Sequence, residues 1–151
     1  MKTRIMVCCL VLMLSIFAGS AFGGHESDSN TWYGLDAGSS ITDGTNNTFI
    51  GNSAGHFTST GYQNTFLGQL SGYWNTSGYE NTFLGVEAGG LNTTGYQNTF
   101  SGFRAGVNNT TGYENTFFGH RAGAYNTTGV RNTFLGQRSG YQNTTGGGNT
   151  F

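Results

Sequence analysis

His25, His56 and His120 are the side chains of this sequence best suited to metal ligation or proton transfer, and their spacing supports neither. A zinc or catalytic site needs several groups converging from set spacings. No cluster of His, Asp or Glu recurs beside these three, which fall at unrelated phases of the chain. Calcium turns of the Gly-Gly-x-Gly-x-Asp type need carboxylates, and here Asp43, beside Gly44, is the lone acid at such a turn. Cys8 and Cys9 are the only cysteines and lie in an apolar leader, which leaves no thiolate or disulfide chemistry for the rest. Serine and threonine abound, but none is unique, whereas a nucleophile needs one oriented base and one buried acid. The expectation is a chain that is no enzyme, with no metal, no cofactor and no small-molecule substrate.

The residues recur instead. Asn-Thr-Phe begins at Asn47, Asn64, Asn81, Asn98, Asn115, Asn132 and Asn149, every seventeen residues, and a diverged copy, Asn30-Thr31-Trp32, lies one period earlier. Seven units, 30–46 to 132–148, precede a stub of Asn149, Thr150 and Phe151. The unit reads Asn-Thr-Phe-Leu-Gly-x-x-Ala-Gly-x-x-Asn-Thr-Thr-Gly-Tyr-x. A strict period below ~20 residues is too short for a helix pair and suits one coil of a β-solenoid. The predicted fold is therefore all-β: a β-solenoid, or β-roll, of seven 17-residue coils within a repeat domain spanning 30–151. At ~4.8 Å per coil it makes a rod roughly 34 Å long. The stub either covers the last open edge or begins a further coil.

With the columns numbered one to seventeen from each Asn, the third holds Trp32, Phe49, Phe66, Phe83, Phe100, Phe117, Phe134 and Phe151, the predicted core ladder. Three columns are pure glycine, and one of them, Gly34, Gly51, Gly68, Gly85, Gly102, Gly119 and Gly136, follows the apolar segment. Glycine permits positive φ and close backbone approach, so these residues are expected at the corners. Asn-Thr-Phe-Leu suits a strand, and Asn-Thr-Thr-Gly-Tyr can supply a second. Side chains alternate along a strand. If Phe points inward, column two (Thr) and column four point outward together. Column four includes Ile50, Leu67, Leu84, Phe118 and Leu135, an apolar stripe that calls for a partner. Ala or Ser in column eight fits a close approach of walls. Asn75, Asn92, Asn109, Asn126 and Asn143 are expected to pass amide hydrogen bonds along the stack, and Tyr62, Tyr79, Tyr96 and Tyr113 to stack.

Residues 1–24 read as a secretory signal: Lys2 and Arg4, then an apolar run from Ile5 to Ala18 that is too short for a membrane span. A short linker, 25–29, follows. Beyond the leader stand four arginines against seven acids, a formal charge of −3. Nucleic acid is not an expected partner, because phosphate binding wants a dense basic face. Low charge and high glycine also suit disorder, but disorder does not hold an aromatic at one fixed phase.

Asn47-Thr48-Phe49-Ile50-Gly51 and Asn81-Thr82-Phe83-Leu84-Gly85 resemble the Asn-Ser-Val-Ala-Ile-Gly signature in the head repeats of trimeric autotransporter adhesins. The pattern is similar also to the Asn-Thr-Phe-Leu-Gly and Asn-Thr-Thr-Gly repeats of large bacterial surface proteins. The resemblance covers 30–151 and implies a parallel homotrimer of β-rolls, exported to the cell surface or secreted, serving adhesion or spacing against a host or matrix ligand. The unit here is longer, and aromatic Phe replaces the small aliphatic pattern. An alternative is an ice-binding solenoid, because Thr31 to Thr150 in column two and Thr76 to Thr144 in column thirteen would form regular threonine ladders.

Overall fold

The computed structural model describes residues 29–151; the expected signal segment 1–24 and most of the expected 25–29 linker lie outside them. The repeat winds as a parallel β-solenoid, with one three-residue strand per coil: β1 (Thr31–Tyr33), β2 (Thr48–Ile50), β3 (Thr65–Leu67), β4 (Thr82–Leu84), β5 (Thr99–Ser101), β6 (Thr116–Phe118) and β7 (Thr133–Leu135). They form a single sheet in chain order. Every residue pairs with its counterpart seventeen positions on, as Thr48 with Thr65 and Phe49 with Phe66. The stub continues the pattern through a bridge between Thr133 and Thr150.

The second expected strand does not form. Around Asn-Thr-Thr-Gly the chain bends, and three successive N–H groups converge on one carbonyl of the next coil. Thr93, Thr94 and Gly95 all donate to Thr110 O, at 2.9, 3.2 and 3.3 Å. That convergence uses up the backbone donors which a strand would present in alternation.

The strands stay short because left-handed residues bound them. Each coil has four positive-φ columns. Two are glycine: column five at φ 122–139° and column nine at φ 58–60°. The other two are not: column seven, from Asp36 to Arg138, at φ 54–57°, and column seventeen, from Asn46 to Arg131, at φ 53–58°. A non-glycine residue there costs roughly 1–2 kcal/mol, and the coil stack compensates it. In both columns the flipped N–H donates back to the preceding coil, as Glu87 N to Gln69 O at 2.9 Å and Glu80 N to Tyr62 O at 3.0 Å. The third glycine column is not left-handed. At Gly95 a Cβ would collide with Gly112 O and Asn92 Oδ1, so that corner needs glycine for space alone.

Phe49 to Phe134 are wholly buried, and neighbouring rings stack at 4.7–4.9 Å and within 5–10° of parallel. The ends of the expected core ladder differ. Trp32 is only partly buried and Phe151 is exposed, because the described residues stack a coil against only one side of each. Across the interior, column nine closes on these rings: a Cβ on Gly89 would strike Phe83. Column eight, Ala or Ser, is buried beside it through most of the rod.

Two asparagine ladders complete the core. The expected one, Asn75 to Asn143, carries Nδ2 to Oδ1 bonds of 2.7–2.8 Å between coils. Before it stands Thr58, whose buried Oγ1 has no hydrogen-bond partner among the described residues. The second ladder is the leading Asn of each unit. Asn98 Nδ2 donates to Asn81 Oδ1 at 3.1 Å and to Gly112 O at 2.9 Å, while Asn98 Oδ1 accepts both N–H groups of Asn115. The amide is fully satisfied without water, as a buried polar column must be.

Candidate functional surfaces

The described residues bring together no three His, Cys, Asp or Glu side chains that could hold a metal. His56 shares a hydrogen bond with Ser39 Oγ at 2.9 Å and stacks on Tyr73, His120 stacks on Phe103, and His25 lies outside the described residues. Asp43 stands exposed at a coil bend, its N–H donated to Ser59 O. The chemistry on offer is that of surfaces, and two are distinct.

The first is the outer face of the sheet. Strand alternation turns Phe inward and columns two and four outward, as the pattern requires. Phe118 and Leu135 are 61% and 59% exposed and Leu67 is 47% exposed; Ile50 and Tyr33 are exposed as well, while Leu84 and Ser101 are half-buried. Column six widens the apolar area with Leu35, Val86 and Phe103. The parallel register puts these side chains in one line along the rod, one per coil, beside the threonines of column two.

The second surface lies across the Phe ladder from the strands, over columns seven, ten and eleven, and pattern reasoning missed it. Columns ten and eleven vary from unit to unit, so they carry no periodic signal; the signal that was available is the run of small residues Gly90, Val107 and Ala124 in column ten. Two adjoining clefts of about 370 and 310 Å³ share Glu87, Leu91 and Val107. At one end His56 stacks on Tyr73 and Phe57 on Trp74, with the two pairs edge to face. At the other end Tyr125 meets Tyr141 edge to face at 4.9 Å, and the hydrogen bond between them raises the Tyr125 phenol above its ordinary range. Along the wall Arg104 forms a two-point ion pair with Glu87, at 2.7 and 3.1 Å. The Arg138 guanidinium lies over the Tyr141 ring.

A third column, Tyr62, Tyr79, Tyr96 and Tyr113, stacks at 4.7–4.9 Å as expected. Beside it column seventeen is laced by Gln97 to Glu80 at 2.8 Å and Arg131 to Glu114 at 2.8 Å. Desolvation, the neighbouring tyrosines and a nearby glutamate hold the Tyr79 and Tyr96 phenols above their ordinary 10.0.

Compared with protein-family models, with curated proteins and with solved structures, the chain gives no match, so its reading rests on the solenoid and its surfaces.

Proposed function

We propose that this chain is a secreted or cell-surface rod which acts by display or spacing in adhesion, and which associates with copies of itself through the outer face of its sheet. The observation that carries the reading is the in-register line of column four, in which Tyr33, Ile50, Leu67, Phe118 and Leu135 are exposed, Leu84 is half-buried and Ser101 alone is polar. Apolar patches of that length on a soluble protein call for cover. A parallel arrangement of copies sets each rung beside the same rung of its neighbours, and the resemblance to trimeric adhesin heads favours three. Signal segment 1–24 supplies the export route. Catalysis has no place in this reading, because each residue type capable of chemistry either recurs in a ladder or stands without a partner at catalytic spacing. Light scattering on residues 25–151 should give three times the chain mass, and protease added to intact cells should remove the rod. A monomer at micromolar concentration, or a chain protected inside cells, overturns the proposal.

Ice binding is the second reading, favoured by the unbroken register of the column-two threonines. It ranks lower for two reasons. Phe118 and Leu135 stand on the same face, and the column-thirteen hydroxyls already donate to the next coil, as Thr76 Oγ1 to Thr93 O at 3.0 Å. Thermal hysteresis of the mature chain distinguishes the two.

A further inference from the structure

We propose that the groove across the rod from the strands binds a carboxylated oligosaccharide, with one sugar ring in a rung left open at Gly90 and a carboxylate on Arg121. Column ten opens on Ser39 and then stacks two rings, His56 on Tyr73, and the next rung is Gly90. Glycine is not demanded there. The φ of Gly90 is not left-handed, and an added Cβ would meet Glu87 O at 3.4 Å, Leu70 O and Val107 Cγ2 at 3.7 Å, all ordinary contacts. Its neighbour Gly89 contrasts on both counts, at φ +58° and with Phe83 in the way. Column ten therefore supplies no ring over the next face of Tyr73, for no reason of backbone geometry. The floor stays low through Val107 and Ala124 until Tyr141 closes it. Four coil steps, ~19 Å, separate the two tyrosines, room for a short chain of rings.

The charge along this wall is uneven. Arg104 is neutralised by Glu87, whereas Arg121, which lines the groove, takes part in no ion pair among the described residues. Arg138 adds a second uncompensated cation just beyond. An occupant with a carboxylate toward this end is matched and a neutral one is not.

The cover is one-sided, with Trp74 43% and Tyr125 48% exposed. An alkyl chain needs enclosure on most of its surface. A peptide strand would need free backbone groups at the floor, and these are spent between coils: Trp74 N to Gly90 O, Leu91 N to Val107 O, Asn108 N to Ala124 O and Tyr125 N to Tyr141 O, at 2.9–3.1 Å. A sugar ring asks for neither. Its C–H face lies on Tyr73 and its hydroxyl rim meets side chains, among them Asn108, whose Nδ2 is held by Ala124 O at 2.8 Å, leaving Oδ1 to accept.

The inference deepens the surface reading by naming a ligand class, and it uses no residue of the column-four stripe. Calorimetric titration of residues 25–151 with hexasaccharides of galacturonate, mannuronate and hyaluronan should show binding by at least one of them. Maltohexaose and hexaglutamate should each bind about tenfold more weakly or worse. Arg121→Gln should weaken the acidic sugar about tenfold. Gly90→Tyr, which completes the aromatic rung, should keep the circular dichroism of the parent and abolish binding; Trp74→Ala, at an exposed position, should weaken it if the tyrosine variant fails to fold. Leu67→Lys with Leu84→Lys should leave sugar binding unchanged whatever it does to self-association. Silence from all three acidic sugars, equal binding of hexaglutamate, or full binding by a folded Gly90→Tyr variant would overturn the proposal.

Discussion

Asn98 donates its side-chain amide to Asn81 Oδ1 across 3.1 Å, one coil away and sealed from water. The same carboxamide bonds Gly112 O and accepts from Asn115, so one side chain ties three coils together. Asn98→Ala strands the buried backbone N–H of Asn115 and removes one bond each from Asn115 Nδ2, Asn81 Oδ1 and Gly112 O, which keep Gly129 O, Asn98 N and Asn109 Nδ2 as partners. An unsatisfied buried group costs ~1–3 kcal/mol and each further lost bond about 1 kcal/mol, so the variant should lose about 2–4 kcal/mol in urea unfolding. Thr99→Ala, next in the chain but exposed, should change stability by less than ~0.5 kcal/mol. Equal effects at the two positions would remove the asparagine ladder as a stabilising element.

Glycine columns should tolerate nothing larger, for two separable reasons. At Gly85, φ is +137° and a Cβ would sit 2.5 Å from Gly102 O; at Gly95 the conformation is ordinary and only space forbids the atom. Gly85→Ala and Gly95→Ala should each cost about 3 kcal/mol or more by chemical denaturation, against a gain or a loss below ~1 kcal/mol for Gly90→Ala.

Alkaline pH should loosen the rod through its tyrosine column. Burial and the neighbouring phenols and glutamates raise Tyr79 and Tyr96 above 10.0, so the folded chain holds protons that the unfolded chain gives up. That contribution is fully present below pH 10 and is lost as pH climbs through the folded-state values. The unfolding midpoint should fall above pH 10, and phenolate absorbance should rise with it. Tyr79→Phe with Tyr96→Phe should flatten the dependence; an unchanged slope would assign it elsewhere.

Self-association should depend on the stripe rather than on the rod's ends. Covering one leucine is worth roughly 1.5–3 kcal/mol, so Leu67→Lys with Leu84→Lys should convert oligomers to monomers in light scattering. Oligomers of unchanged mass would move the interface off the outer sheet face.

Whole coils should be removable. Deleting 81–97 rejoins Glu80 to Asn98 in the phase that Asn81 held, so every ladder closes again one rung shorter. The variant should keep its circular dichroism and shorten by ~4.8 Å in small-angle scattering. Deleting 81–92 instead shifts Phe out of register and should unfold the chain.

Much of the architecture was written in the period. An unbroken Asn-Thr-Phe phase dictates stacking, stacking at strand spacing makes every column a ladder, and alternation about Phe49 or Phe83 then sorts inside from outside. The Phe core, the outward stripe and the Asn75–Asn143 ladder follow from those steps alone. Local pattern could not decide the second strand, because Asn-Thr-Thr-Gly has strand composition while its N–H groups converge on one carbonyl of the next coil. Nor could it place Glu87 or Arg104 in the left-handed region; propensity argues against that, and only a carbonyl one coil back, waiting for the flipped N–H, makes the conformation hold. The leading Asn column reads as a strand start in sequence, yet it is buried, because Gly112 O and its equivalents reach it across the coil from fourteen residues on. The groove belongs wholly to tertiary structure. Its residues fall in the columns that do not repeat, and only winding the chain sets Tyr73, Gly90, Arg121 and Tyr141 along one wall.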